Sequence, residues 1–187
     1  MVHVGAAQDY EKVAVYLDGL RSRGYHLFFE GVTLPDNLDS CHIDTLRRKF
    51  RKLLGVDTQT LYPHMARKHK GWIVQNLPAF PLGTNEHIVD LSLDELVSLY
   101  EQRYEPVVLE EFDLQCPLGS EEYGRHHSSK GFSSFICSRF YSPRDSLLKA
   151  HVLNDGYDKI AVIYGSEHCS YLKNELRYRY GYHLKFQ

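Results

Sequence analysis

Two residues, a histidine and a glutamate, stand directly after apolar runs, where their side chains could carry out acid–base chemistry. His168 follows the turn 165–167, which ends the apolar run 160–164. Glu30 follows Leu-Phe-Phe at 27–29. A carboxylate at the end of a buried strand is costly unless it pairs with a cation or a metal ion. The position of Glu30 therefore indicates a role in a site.

The turn before His168 has a counterpart near the start of the chain. When LRSRGYHLFFE at 20–30 is laid over LRYRYGYHLKFQ at 176–187, Gly5-Ala6-Ala7-Gln8 falls on Gly165-Ser166-Glu167-His168. In a GxxH turn after a parallel strand, glycine allows a tight bend and the helix N-terminus presents backbone N–H groups. Gln8 thus takes the place of a histidine in the first of two similar turns.

Both turns belong to segments with the order strand, helix, strand. Residues 1–31 form the first such unit, and residues 142–187 form a helix followed by the second. This order is typical of parallel strands joined by a right-handed helical crossover. Open α/β sheets bind ligands at the carboxyl ends of their strands. We therefore expect Gln8, Glu30 and His168 at one sheet edge.

The rest of the chain positions these units. Residues 36–104 are mainly helical, and the helix at 44–54 stops at Gly55. Ser92 with Glu95 three residues later is a capping pattern. Residues 105–134 have the composition of a long loop. The sequence predicts one α/β domain over 1–187, with a central, mostly parallel sheet built from two similar β-turn-α-β units and a helical middle section.

Composition excludes several classes of protein. The 187 residues are 43% hydrophobic and 25% charged, as in a compact domain. No apolar stretch approaches the roughly 20 residues of a membrane helix, and the first residues lack the layout of a secretion signal. The four cysteines contain no CxxC pair. We expect a cytoplasmic protein; the sequence does not indicate its oligomeric state.

The chain also resembles a known family. The order VGAAQ, FFEG, a helical middle, PRDSLL and IYGSEH is similar to the TraB/TIKI group of metal-dependent hydrolases, whose wider relatives include erythromycin-esterase-like and ChaN-like proteins. Members typically carry two GxxH turns, a glutamate after the second strand and an arginine that opens the helix before the last GxxH. Here these positions are matched by His168, Glu30 and Arg144.

The resemblance implies hydrolysis of a peptide, amide or ester bond in a small-molecule or peptide substrate. It implies His168 as base or metal ligand, Glu30 as second ligand or water-orienting carboxylate, and Arg144 as the group that stabilises negative charge in the transition state. A divalent metal ion is the implied cofactor. Gln8 departs from the pattern, because an amide is a far poorer ligand and cannot act as a base. Whether the chain is active, or binds a small molecule or protein without turnover, stays open.

Structural explanations compete for each of these residues. His168 could be a helix-start histidine bound by the backbone, and Gln8 could cap the first helix. Glu30 and Arg144 could form a purely structural ion pair. His126 and His127 fit a solvated loop better than a metal site.

A rival function of another class is nucleic-acid binding. The basic residues of helix 44–54 (RRKFRK) and the segment RKHK could form a patch, with tyrosines stacking on bases. Against this, the helix pattern puts those charges on an ordinary outer face, and the net charge is −2. Nucleic acid is therefore the less favoured partner.

Overall fold

A computed structural model of the protein describes residues 3–35, 37–75, 83–123 and 143–182. Within these ranges it contains five strands and seven helices. The strands are β1 (Val4–Ala6), β2 (His26–Phe29), β3 (Trp72–Val74), β4 (Glu86–Ile88) and β5 (Ile160–Ile163). The helices are α1 (Ala7–Ser22), α2 (Ser40–Leu54), α3 (Thr58–Arg67), α4 (Leu93–Arg103), α5 (Glu111–Gln115), α6 (Pro143–Asn154) and α7 (Ser166–Tyr180).

A three-stranded parallel sheet in the order β4-β2-β5 forms the centre of the fold. Phe29 is in register with Ile88 on one side and Ile163 on the other. The residues that follow the three strands therefore meet at one edge of the sheet. The predicted α/β class with parallel strands is confirmed.

The first unit differs from the expected arrangement. β1 pairs antiparallel with β3, with Val4 opposite Val74, and does not join the β4-β2-β5 sheet within the described residues. Ala7 at the start of α1 donates its backbone N–H to the Gly71 carbonyl at 3.0 Å. The strand expected after α7 extends into residues 183–187, outside the described residues, so the two-unit symmetry stays a prediction.

Helices cover both faces of the parallel sheet. Leu27 and Phe29 of β2 pack with Leu17 and Leu20 of α1, whereas Phe28 packs with residues of α6 and α7 on the other face. This alternation follows from the two-residue period of a strand. Since both faces are covered, every β2 side chain from Leu27 to Phe29 is buried.

The helical middle section forms a second packed region. Leu53 of α2 packs against Val97 of α4 and against Val107. α2 ends at Gly55 in the left-handed conformation (φ 69°), and Ser92 and Glu95 form the predicted capping box at the start of α4. α5 lies inside the segment predicted as a long loop. In the described part of the chain, no helix is long and apolar enough to cross a membrane.

Candidate functional site

Five charged or ionisable side chains meet at the carboxyl edge of the parallel sheet. Glu30 follows β2, Asp90 follows β4, and His168 lies in the first turn of α7 after β5. Arg144 and Asp145 come from the first turn of α6. We call these five residues the edge cluster.

Arg144 is the centre of the edge cluster. Its Nε donates to Asp90 Oδ1 at 2.7 Å, and its Nη2 lies 2.6 Å from Asp90 Oδ2 and 2.8 Å from Glu30 Oε1. The Asp90 carboxylate also accepts the backbone N–H groups of Gly31 and Leu91. Burial alone would lower the pKa of Arg144, but its hydrogen bonds with Asp90 and the charge of Glu30 raise the pKa above its usual value.

Glu30 joins the arginine to the histidine. Its Oε2 accepts the Gly165 backbone N–H at 2.7 Å, and its Oε1 lies 3.8 Å from His168 Nε2. Burial alone would raise the pKa of Glu30, but the charge of Arg144 and the hydrogen bond from Gly165 hold that pKa below its usual value. Glu30 is therefore an ionised carboxylate at neutral pH, which makes it a weak base.

His168 is oriented by a carboxylate. Its Nδ1 lies 2.5 Å from Asp145 Oδ1, which leaves Nε2 facing Glu30. A carboxylate on one ring nitrogen fixes the tautomer and leaves the other nitrogen able to take a proton. Arg144 and Asp145 are adjacent on α6, and neighbouring helical residues diverge by about 100°. One residue therefore reaches Glu30 and the other reaches His168.

A cavity of about 310 Å³ opens beside the edge cluster. It is lined at one end by Glu30, Arg144, His3, Tyr62 and Gln75, and elsewhere mainly by apolar residues. The rings of His3 and Tyr62 stack with centroids 4.9 Å apart. Arg144 lines the cavity and uses Nε and Nη2 for its hydrogen bonds to the described residues, which leaves Nη1 without a hydrogen bond among those residues.

The structure brings together three of the four site residues expected from the sequence. Glu30, Arg144 and His168 all belong to the edge cluster. Gln8 does not: it is an exposed residue in the first turn of α1, and it forms no hydrogen bond with the other three in the described part of the chain. Because β1 pairs with β3, it is the other end of this strand, at His3, that faces the cavity. His126 and His127 lie outside the described residues.

Sequence reasoning missed Asp90, Asp145, His3 and Tyr62. Asp145 directly follows Arg144 in PRDSLL, and Asp90 follows the short strand β4, so both positions carried a signal. Cys169, next to His168, packs into the core with Sγ 3.6 Å from the Tyr164 carbonyl, and burial raises the pKa of its thiol.

The carboxylates of Glu30 and Asp90 bind Arg144 and are poorly placed to bind a divalent cation as well. Both oxygens of Glu30 already accept hydrogen bonds, and the guanidinium 2.8 Å away would repel a metal ion. Across residues 3–35, 37–75, 83–123 and 143–182, no three His, Cys, Asp or Glu side chains are grouped so as to hold a metal. The edge cluster therefore does not fit a divalent metal ion.

The basic residues of α2 do not all lie on the expected outer face. Arg51 is 2% exposed and donates to three backbone carbonyls, while Arg48, Lys49 and Lys52 all bind acceptors of this chain. Arg47 and the segment RKHK at 67–70 are exposed. The predicted outer face was wrong for Arg51, because its acceptors lie 62–66 residues further along the chain.

Comparison with known proteins gives no relative. No family model matches the chain, and no curated protein or solved structure matches it. The resemblance to the TraB/TIKI group stays a prediction.

Proposed function

We propose that the chain hydrolyses a peptide, amide or ester bond at the edge cluster, as the TraB/TIKI resemblance implies. The observation that carries this proposal is the contact between His168 Nδ1 and Asp145, which leaves the other ring nitrogen facing Glu30, a residue that lines the cavity. A carboxylate on Nδ1 fixes the ring, so that Nε2 can act as a general base.

Each residue of the edge cluster has a separate part in the proposed reaction. His168 Nε2 takes a proton from the attacking water, and Asp145 stabilises the imidazolium that forms. Arg144 Nη1 donates to the oxygen that becomes negative at the attacked carbonyl. Glu30 and Asp90 hold the guanidinium in place, so they are positioning residues. The proton on His168 then passes to the leaving group.

A second candidate is binding without turnover. The hydrogen bonds that occupy both oxygens of Glu30 favour it, because they describe a rigid, satisfied pair that needs no reacting water. In that case the cavity binds a small molecule and His168 only supports Glu30.

Hydrolysis of a panel of p-nitrophenyl esters, p-nitroanilides and fluorogenic peptides distinguishes the two. The parent should hydrolyse at least one class, and His168→Asn should lower kcat by about 10²–10⁴-fold, the usual contribution of a general base. His151→Asn is the matched control, because His151 also pairs with an aspartate, Asp155, at 2.9 Å but on an exposed part of α6. The hydrolase hypothesis is contradicted if the parent hydrolyses none of these substrates, or if the parent and His168→Asn hydrolyse them at equal rates.

A further inference from the structure

We propose that the cavity beside Glu30 takes a small uncharged ester or amide whose aliphatic acyl chain lies against Val32, Phe50 and Leu54. This inference rests on the proposed hydrolysis and adds the class of substrate. It follows from the lining, the charge and the size of the cavity.

The apolar lining comes from two parts of the fold. Phe50 and Leu54 lie on α2, where they also border the cluster around Leu53, and Val32 follows β2 two residues after Glu30. Val32 is 40% exposed, so its side chain is available to a ligand. Apolar surface next to a polar end suits a molecule with an aliphatic chain on one side of a carbonyl group.

The polar end of the cavity carries little net charge. The opposite charges of Glu30 and Arg144 lie 2.8 Å apart. Desolvation lowers the pKa of His3 and raises the pKa of Tyr62, whose ring stacks on that of His3, so both rings are neutral at pH 7. Thr58 and Gln75 add neutral hydrogen-bonding groups. A charged ligand would lose its hydration here without finding an unpaired opposite charge.

The volume limits the length of the chain. At about 30 Å³ for each non-hydrogen atom, the share of one water in the liquid, a cavity of about 310 Å³ holds roughly ten atoms. An acyl chain of about six to eight carbons together with its carbonyl group fills it. Longer acyl chains exceed this volume.

A chain-length series tests the inference on the intact protein. For p-nitrophenyl esters from acetate to dodecanoate, kcat/KM should rise about threefold to fourfold for each added methylene up to about six to eight carbons, and then fall. Val32→Phe fills part of the cavity and should move the optimum to shorter chains. Val15→Phe, a change at a valine that is 73% exposed on α1, should leave the optimum unchanged.

Methyl ketones separate this inference from the proposed function, because a ketone has the carbonyl but cannot be hydrolysed. In ligand-observed NMR with 2-butanone to 2-dodecanone, the ketone that binds most tightly should have a chain length similar to that of the best ester. Val32→Phe should shift this optimum to shorter chains, and Val15→Phe should not. If the ketones bind in this way but no ester is hydrolysed, the substrate-chain site in the cavity is supported and the proposed hydrolase activity is contradicted. If esters are hydrolysed at rates that do not depend on chain length or on Val32→Phe, the hydrolase activity is supported and the inference about the cavity is contradicted. Absence of ketone binding also overturns it.

Discussion

Arg51 and Arg144 are both buried arginines, yet their surroundings differ. Arg51 on α2 donates to three backbone carbonyls around α5, lies 3.7 Å from Asp57, and has the Tyr123 ring 3.8 Å from its guanidinium carbon. Arg144 on α6 donates to the carboxylates of Asp90 and Glu30 and borders a cavity of about 310 Å³.

The difference separates a structural role from a chemical one. Backbone carbonyls fixed around Arg51 tie α2 to the segment after α5, and the neighbouring pocket measures only about 50 Å³. The carboxylates around Arg144 hold a cation at the rim of a cavity, next to an oriented histidine. Burial of an arginine therefore does not by itself indicate a site. What matters is whether a donor and a cavity remain for a ligand.

The largest effect on stability is expected at Arg51. Arg51→Met should lower the free energy of unfolding by about 3–5 kcal/mol, because it leaves Asp57 without its cation and three carbonyls without donors. Urea denaturation measures this loss. Arg47→Met, at an exposed residue on the same helix, should change the unfolding free energy by no more than about 0.5 kcal/mol. If Arg51→Met is as stable as the parent, Arg51 does not have the structural role that distinguishes it from Arg144.

Glu30→Gln should have a smaller effect that depends on pH. At pH 7 the variant should lose about 1–3 kcal/mol, because a charge-assisted hydrogen bond to Arg144 is replaced by a neutral one. The folded pKa of Glu30 lies below its ordinary value of 4.5, so its contribution is present above that pH and is lost as pH falls through the folded pKa.

Unfolding free energies of the parent and Glu30→Gln should therefore converge between pH 5 and acid conditions near the folded pKa of Glu30. Glu11→Gln, at an exposed residue of α1, controls for the loss of one carboxylate. A constant difference from pH 7 down to strong acid would show that the ionised form of Glu30 is not what stabilises the cluster.

A weaker pH effect is expected at His3. Its folded pKa is lowered by burial from 6.5, so protonation costs the folded state more than the unfolded state. The parent should lose stability relative to His3→Phe as pH falls below about 7, until the folded pKa is passed. His69→Phe controls for replacing one ring by another, since His69 stacks on Trp72. Parallel pH profiles for the parent and His3→Phe would contradict the placement of His3 in the cavity.

The smallest effect is expected at Gln8. Since Gln8 is exposed on α1 and β1 pairs with β3, Gln8→His should leave the affinity for Zn²⁺ unchanged in titration calorimetry. If Gln8→His binds Zn²⁺ more tightly than the parent, the first turn must lie near Glu30, and the parent has lost a metal ligand at position 8.

Sequence reasoning placed Glu30 and His168 at one edge because strand ends are predictable, whereas Arg144 followed only from the family resemblance. Runs such as 27–29 and 160–164 are apolar enough to predict buried strands, and the carboxyl ends of parallel strands meet at one edge. The end of α2 at Gly55 and the cap at Ser92 follow from local residue types in the same way.

The remaining features depend on long-range pairing. β1, β3 and β4 have three residues each, which is too short for a clear alternation, so nothing local specifies which strands pair. The pairing of β1 with β3 decides that His3 rather than Gln8 reaches the cavity. Arg51 shows the same limit, because its acceptors are carbonyls 62–66 residues further along the chain.

The most direct test of the account is the hydrolysis rate of four proteins: the parent, Asp145→Asn, His168→Asn and the double variant. If Asp145 acts only by orienting His168, the double variant should be no slower than His168→Asn alone, and Asp145→Asn should fall between that variant and the parent. Losses from the two single changes that multiply in the double variant would contradict the account. So would an Asp145→Asn protein as fast as the parent.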